Sequence, residues 1–512
     1  MAQEQRNVTI AAPGFAGINT QDSPLTQGAR WAATADNCVI DSYGRIGGRK
    51  GHDALTASVT ALSGEAIQVI HEFIAKDGTS VVFSAGNSTV FSGTTTLADR
   101  TPGSYTITGD DWDMATLNDH CYFFQRDHEP LVYEKSSDTV MKMSLKTGYA
   151  ATAPEANIVI SAYGRLWAAD VTGNKHTVYW TDLLMGYKWS TGTSGSLDLT
   201  EVWPNGTDEI TGLAAHNNLL VIFGKECIVI YGSSATDGNL SDPATDLFLQ
   251  DVIVGIGCIE RHTIQSVGSD LIFLDKSGVR SLARVIQEKS LPIGDISRNV
   301  RRDIQSAVSA ETGVIYSAFS VDEGFYILGF PSQSLVYCFD MRGYLEDGSS
   351  RTTTWSSVPF KCAHHSDDGT LYLGTVDGIC TYSSYTDNGT GYLMSYYSNP
   401  ITFEEPSLIK IPKQLDVTII GGPGTTFSLL WAYDYNSNYK SASITLPATT
   451  ESYYNVSEYS IAEYASPNTV VLKRANLTGS GRALTIGFQS TINGTAIDIQ
   501  EFNIQALIGR IL

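Results

Sequence analysis

Paired runs of apolar residues, joined by short polar turns, recur along this chain. The pair within 215–232 is representative: an apolar run at 219–223, a turn at 224–226 and a second apolar run at 227–231. Successive side chains of a strand point to opposite faces, so Leu219, Val221 and Phe223 lie on one face and Leu220 and Ile222 on the other. A strand that is apolar on both faces needs cover on both. The pattern predicts a β-hairpin inside a larger β assembly.

Seven such hairpins follow one another at a nearly even spacing. Their first runs begin at residues 81, 121, 166, 219, 271, 325 and 371, in steps of 40 to 54 residues. Strand-rich units at a period of about 40–50 residues are typical of β-propeller blades. We therefore predict an all-β fold with a propeller of six or seven blades over 56–385. A pair of β-sandwiches with similar hairpins is the alternative.

The remaining segments differ from this repeat. Residues 1–55 are rich in Gly and Pro and predict an extended arm with turns, first strands and no core of its own. The helical spacing of Ile296, Val300 and Ile304 predicts a helix over 296–304, capped by Asp295, between two blades. Strict alternation returns after a junction at 387–391. It predicts a β-sandwich domain over 386–512, with strands near 415–419, 427–433, 470–472, 483–488 and 496–502.

Composition agrees with many short strands and turns. The chain has 512 residues, 42% of them hydrophobic and only 17% charged, with 47 Gly and 26 Tyr. No apolar run reaches the ~18 residues of a membrane span, and the N-terminus does not resemble a secretory signal. The seven cysteines are scattered, odd in number and without a CxxC pair. We expect reduced core residues in a protein made in a cytoplasm.

Motifs for catalysis are missing from the sequence. It contains no HExxH, GxSxG or complete GxGxxG. His364 and His365 are adjacent and are expected in a turn or at the surface, and the calcium-like start at 434–438 lacks the glycine and glutamate that such a loop needs. Acidic pairs such as Asp110–Asp111 and Glu404–Glu405 are common in an acidic chain. We expect no enzyme activity, no catalytic residue, no metal and no cofactor.

The charge balance excludes a basic nucleic-acid groove. The net charge is −21 and the sequence pI is about 4.7, whereas a groove that binds DNA needs a basic face. Basic residues form two clusters, which could pair with acidic surfaces of a neighbouring protein or could be ordinary charged faces. They are Arg45, Arg49 and Lys50 in the arm, and Arg298, Arg301 and Arg302 on the expected helix.

The arm resembles the start of the tail nozzle (tail tubular) proteins of short-tailed bacteriophages. The resemblance rests on AAPGFAGINTQDSP at 11–24 and ADNCVIDSYGRIGGRKG at 35–51. The passage from 391–394 to 410–417 is similar to their transition into a β-sandwich. The resemblance implies a structural virion protein in the phage tail, made in the host cytoplasm without a membrane span. Its implied partners are five further copies in a homohexameric ring, the phage connector or adaptor protein, tail fibre proteins and double-stranded DNA that crosses the lumen without specific binding.

A ring of this kind needs surfaces that contact other subunits or the connector. We expect residues 8–35, including Phe15, Ile18 and Asn19, and the two basic clusters to contact an adjacent subunit or the connector. We also expect acidic side chains to line the lumen, because they would leave DNA free to slide. One alternative is a propeller-fold, tail-associated hydrolase of host surface carbohydrate, which would need two or more carboxylates converging on a pocket. Another is a propeller scaffold without a viral role.

Overall fold

A computed structural model describes residues 4–103, 105–108, 111–150, 152–204, 208–234, 240–268, 270–288, 295–358, 360–448 and 470–509. Strands dominate it, which confirms the all-β prediction. Six strands precede the first blade. They are β1 (Glu4–Ala11), β2 (Gly17–Ile18), β3 (Trp31–Asp36), β4 (Cys38–Ile40), β5 (Ile46–Gly48) and β6 (His52–Ala54).

The first four blades are antiparallel four-stranded sheets with strands in chain order. Blade 1 is β7 (Val69–Ile74), β8 (Ser80–Gly86), β9 (Thr89–Ser92) and β10 (Ala98–Asp99); blade 2 is β11 (Trp112–Leu117), β12 (His120–Gln125), β13 (Leu131–Glu134) and β14 (Thr139–Lys142); blade 3 is β15 (Ala156–Ala162), β16 (Arg165–Val171), β17 (Thr177–Trp180) and β18 (Gly195–Asp198); blade 4 is β19 (Ile210–His216), β20 (Leu219–Gly224), β21 (Cys227–Ser233) and β22 (Leu247–Val254).

Three further blades complete a seven-bladed ring. Blade 5 is β23 (Gln265–Val267), β24 (Asp270–Asp275) and β25 (Gly278–Ser281); blade 6 is β26 (Tyr316–Ser320), β27 (Phe325–Phe330), β28 (Leu335–Tyr344) and β29 (Ser350–Ser356); blade 7 is β30 (Cys362–His365), β31 (Leu371–Thr375) and β32 (Gly378–Tyr382). The arm strand β6 pairs with β32 and so supplies the fourth strand of blade 7. The first strand of blade 7 packs beside that of blade 1, which closes the ring.

All seven predicted hairpins are the second and third strands of blades, and the propeller prediction is confirmed. Their two apolar faces fill the spaces between neighbouring blades. Leu220 and Ile222 belong to the cluster between blades 3 and 4, whereas Val221 and Phe223 belong to the cluster between blades 4 and 5. Full burial of such side chains stabilises the fold by roughly 1.5–3 kcal/mol each. The apolar core of the propeller therefore lies between its blades.

The C-terminal part is a β-sandwich. Its strands are β33 (Tyr392–Ser398), β34 (Lys410–Gly421), β35 (Thr426–Tyr433), β36 (Lys440–Thr445), β37 (Val470–Asn476), β38 (Leu484–Ile492) and β39 (Ile497–Ile508). One sheet has the order β37-β34-β39-β5-β4, with β1 also paired to β39. The facing sheet runs β2-β3-β33-β38-β35-β36 and continues, through β2, into blade 6.

The predicted arm has no core of its own, and its strands join sheets of the sandwich and of the propeller. β1 pairs with β39 along its whole length, and β4 and β5 extend the same sheet. β2 and β3 lie between β29 of blade 6 and β33 of the sandwich, so one ten-stranded sheet joins the two parts. The sequence does not show this role for two reasons. Its Gly and Pro residues indicate turns, and the partners of these short strands lie hundreds of residues away in the sequence.

Helices are few and short. They are α1 (Pro243–Asp246), α2 (Leu282–Glu288) and α3 (Arg301–Ala310), with 3-10 turns at Thr60–Leu62, Met143–Leu145, Arg261–Thr263, Arg298–Val300 and Pro331–Gln333. The helix predicted at 296–304 starts later than expected. Asp295 does not cap it; its buried carboxylate accepts hydrogen bonds from Ser297 and pairs with Arg301. Within the described residues, no helix has the length and hydropathy needed to span a membrane.

All seven cysteines are buried and unbridged, in agreement with the sequence prediction. Burial raises the pKa of the Cys121, Cys258 and Cys362 thiols well above the ordinary value. A thiol that stays protonated is a poor nucleophile and a poor metal ligand. These cysteines act as small core residues.

Candidate functional site

A cavity of about 400 Å³ lies where the first strands of the seven blades meet. Every blade contributes to its wall, because the first strands lie side by side around the axis of the ring. The lining residues lie at 68–71, 113–114, 158–160, 213–215, 264–266, 316–317 and 362–364, together with Arg261, His262 and Leu271. This volume is that of a pocket for one small molecule.

A charged cluster borders this cavity. The Asp111 carboxylate, just before β11, accepts from Arg261 at 2.7 Å and contacts Nε2 of His262 at 2.7 Å. The Arg261 guanidinium also donates to the backbone carbonyl of Trp112 at 3.1 Å and to that of Asn157. Arg261 opens the 3-10 turn that leads into blade 5. The cluster therefore joins blades 2, 3 and 5 at the centre of the ring.

The three carboxyl groups at this centre have different proton affinities. Burial opposes ionisation of Asp111, but the charges of Arg261 and His262 hold the pKa of that carboxyl well below its usual range. Burial raises the pKa of Asp113 and that of Glu260, and their neighbours compensate only in part. Asp111 is thus the stable anion of the group, and Glu260 holds a proton more readily than an ordinary glutamate.

Two reactive arrangements can be drawn from these residues. The ligand atoms of Asp111, Glu260 and His262 lie within 4.8 Å of one another, close enough to share a cation. Two neighbouring carboxyl groups are also the pair that glycosidases use as general acid and as nucleophile or base. In both cases Asp111 would have to exchange Arg261 for a ligand or substrate. As the side chains lie, they form an internal ion-pair network, with the guanidinium where a cation would bind.

Two histidines form the neutral part of the cavity wall. His71 of β7 and His364 of β30 have ring centroids 5.7 Å apart, and Nε2 of His71 lies 2.7 Å from Oγ1 of Thr116. Burial and the neighbouring His364 lower the pKa of His71 to about 3, and burial lowers that of His364. The expectation of a turn or surface pair at His364–His365 is corrected, because both lie on strand β30 and are partly buried.

Four residues expected at a subunit contact lie inside the chain, and this prediction is corrected. Phe15 is 1% exposed and packs edge-on against Tyr396 and Phe502. Ile18, Asn19 and Arg49 are also buried. Phe15 and Ile18 belong to the apolar core of the sandwich. Asn19 hydrogen-bonds Asp22 in its own loop, and Arg49 pairs with Asp387. These buried side chains are therefore taken up by contacts within the chain.

The other residues expected at contacts remain at the surface or near it. Arg45 hydrogen-bonds Gln500 at 2.8 Å, and Lys50 pairs with Glu323 at 2.6 Å. Arg301 pairs with the buried Asp295, whereas Arg298 and Arg302 are exposed on the connection between blades 5 and 6. Their role in contacts between proteins stays a prediction.

Sequence reasoning missed the central cluster. Asp111 is one of many acidic residues in the sequence, and Glu260, Arg261 and His262 belong to no recognisable motif. Residues 151 positions apart meet here only because the ring brings blades 2 and 5 together. The one local signal was a short run of charged residues, 260–262, immediately before a first strand.

Comparison with known proteins assigns no family. No family model and no curated protein matches the sequence. Solved structures with a similar fold include PorZ, a surface component of the type-IX secretion system of Porphyromonas gingivalis (12% identity, 64% of this chain, 37% of that chain, TM-score 0.37). A protein from Lactobacillus plantarum is 12% identical, with 65% of this chain and 92% of that chain covered and a TM-score of 0.36. The C-terminal WD40 domain of Sif2 is 13% identical, with 62% of this chain and 80% of that chain covered and a TM-score of 0.36. The match spans little more than a third of PorZ.

Proposed function

We propose that this chain is a structural virion protein, the subunit of a tail nozzle of a short-tailed bacteriophage. Six copies would form a ring through which the genome leaves the particle. The observation that carries the proposal is the position of the two arm segments that resemble nozzle proteins. Residues 11–24 contain β2, and residues 35–51 contain β4, β5 and the end of β3; these strands lie between blade 6 and the sandwich or in the sandwich sheets. The residues that resemble nozzle proteins therefore lie in the strands that join the propeller to the sandwich.

The DNA path of such a ring lies between subunits. The central cavity of the propeller has about 400 Å³, and Arg261, which pairs with Asp111, lines it. The major groove of a DNA duplex is by itself about 12 Å wide, so this cavity is far too small for a duplex. The lumen is therefore an outer surface that several copies share. A net charge of −21 suits a wall along which DNA slides without binding.

Imaging of the purified chain tests this proposal. The full chain is expressed, concentrated and viewed by negative-stain electron microscopy, with its mass in solution measured in parallel. Six-fold rings with a central opening are the expected result. A monomer that stays single at high concentration, alone and with the connector of a short-tailed phage, would contradict the proposal.

A hydrolase of surface carbohydrate is the second candidate, and one observation favours it. Asp111 and Glu260 lie close to His262, which lines the central cavity, and their pKa values are shifted in opposite directions. Such a pair suits an anionic and a protonated carboxyl group. Release of reducing sugar from bacterial surface polysaccharide, abolished by Glu260→Gln, would support it. The ion pair of Asp111 with Arg261 weighs against it, because a carboxylate held by a guanidinium is a weak nucleophile.

A further inference from the structure

Two edge strands on different parts of the molecule carry exposed apolar side chains. β22 is the outermost strand of blade 4, and within the described residues it pairs only with β21. β37 is the edge strand of the sandwich, and among the same residues it pairs only with β34. A long edge strand with apolar side chains is a template for strand addition by another chain. Proteins that stay single usually protect such edges.

The β22 edge is apolar and acidic. Phe248, Leu249 and Val254 are 47%, 46% and 46% exposed. Residues 240–254 also include Asp242, Asp246 and Asp251 but no Lys or Arg. Two copies of this edge placed side by side would bring like charges together, which opposes self-pairing. The edge is therefore suited to a partner strand that is apolar and basic.

The β37 edge has these properties. Val470 and Leu472 are 66% and 63% exposed, and they are followed by Lys473 and Arg474, with no Asp or Glu in the strand. Arg474 is more than half exposed although it pairs with Asp416 at 2.7 Å. Lys440 of β36 adds a further positive charge at this end of the sandwich and donates to the Thr478 carbonyl at 3.0 Å. A basic apolar edge is unusual in a chain of net charge −21.

We propose that β37 of one copy adds to the exposed edge of β22 of the next copy, as a fifth strand on blade 4. Backbone hydrogen bonds join the two edges, and Leu472 packs beside Leu249. Lys473 points to the opposite face from Leu472, and this is the face of β22 that carries Asp251. The partner is a second copy of this chain, and the inference rests on the ring proposed above. Because the two surfaces differ, the contact is heterologous and repeats from copy to copy until the ring closes.

Two variants and a control test the contact on the full chain. Leu249→Asp places a charge on the β22 edge and Leu472→Asp places one on the β37 edge. Leu145→Asp is the matched control, since Leu145 is 69% exposed and lies outside both edges. Sedimentation analysis is expected to show that each edge variant weakens association at least about tenfold, whereas the control assembles like the unchanged chain. Circular dichroism verifies that all three variants are folded.

Mixing the two variants gives a sharper readout. The Leu249→Asp chain keeps its β37 edge and the Leu472→Asp chain keeps its β22 edge, so together they can make one contact and no more. A one-to-one dimer is expected from the mixture, and no ring. A general folding defect would give no dimer. The charge exchange Asp251→Lys with Lys473→Asp is expected to restore association that each single exchange weakens.

The outcomes separate this inference from the proposed function. Rings that form unchanged in both edge variants overturn the β22–β37 contact and leave the nozzle proposal in place. A chain that never assembles overturns both. Association that Leu249→Asp abolishes and Leu472→Asp leaves intact means that β22 meets another surface, and this also overturns the proposed pairing.

Discussion

Arg49 and Asp387 form a buried, two-point ion pair across 338 positions of the chain. Nη1 of Arg49 lies 2.8 Å from Oδ1 of Asp387, and Nη2 lies 2.7 Å from Oδ2. Nε of Arg49 donates to Asn37 at 2.9 Å, and its guanidinium lies 4.0 Å from the ring centre of Tyr392. The pair thus ties the N-terminal strands to the segment that leaves the propeller.

Removal of the Asp387 charge is expected to destabilise the protein strongly. Asp387→Asn leaves the fully buried Arg49 without its counter-charge, and a broken buried pair costs about 3–5 kcal/mol. The exposed pair of Arg100 with Asp138, whose side chain is 65% exposed, provides the control. Asp138→Asn should change the free energy of unfolding by less than about 1 kcal/mol. Urea unfolding of both variants measures the difference.

The same pair should weaken in acid. Burial opposes ionisation of Asp387, but hydrogen bonds from Arg49 and His52 lower its pKa to about 2. A depressed pKa stabilises the folded state above the unfolded value of roughly 4, and this contribution disappears as the pH falls through about 2. The stability difference between the unchanged chain and Asp387→Asn should therefore shrink between about pH 5 and pH 2. A difference that is constant with pH would contradict this assignment.

Asp498 should show the opposite behaviour. Burial, with the nearby charge of Asp41, raises the pKa of Asp498 to about 6, above the ordinary 3.8. The folded state therefore favours the neutral acid, and stability is lost as the pH rises through about 6. Asp498→Asn is expected to raise the free energy of unfolding at pH 8 by up to about 3 kcal/mol and to have little effect at pH 4. Unfolding at the two pH values checks the sign.

Gly17 lies where the arm crosses blade 6. Its φ is +82°, and a Cβ there would meet the backbone oxygen of Thr352 at 2.3 Å. Gly17→Ala should therefore destabilise the protein by more than about 2 kcal/mol, because neither backbone can move aside easily. Gly28 is in the same arm with nothing within 4 Å of a Cβ. Gly28→Ala should leave the melting temperature nearly unchanged.

The central cluster can be tested through stability alone. Asp111→Asn leaves Arg261 buried without its anion and should cost about 3–5 kcal/mol. Glu260→Gln removes a carboxyl whose ionisation burial already opposes, so we expect little loss or a small gain in the free energy of unfolding. Equal losses for both variants would mean that Glu260 also acts as an anion in the network. Thermal unfolding of the two variants distinguishes these cases.

The outer hairpins of the blades could be predicted from sequence and the inner strands could not. Second and third strands such as β20 and β21 are buried on both faces, so their sequences are continuously apolar. The first strands border a polar cavity and carry residues such as His71, Asp113 and His364. Polar and apolar residues therefore mix along the first strands without a regular period. Their strand structure becomes visible only when the neighbouring strands of the ring are in place.

The position of the arm strands within the sheets could not be predicted for a related reason. The Gly and Pro residues of the arm signal turns, and its few apolar side chains, such as Phe15 and Ile18, cannot form a core alone. They fill a core that other strands provide, which no local pattern records. The Asp111–Arg261 contact was hidden in the same way, because charge and spacing do not reveal which distant residues become neighbours.

The pairing of β1 with β39, and of β6 with β32, fixes an order of events during synthesis. The ribosome completes β1 and β6 long before their partners at 501–508 and 380–382 exist. Contacts between such distant segments form slowly, so the first residues made are among the last to find their places. Until then the nascent chain exposes unpaired strand edges, which make a partly folded chain prone to aggregation. A chain that lacks β39 would leave β1 without its partner strand and would expose one edge each of β5 and β34.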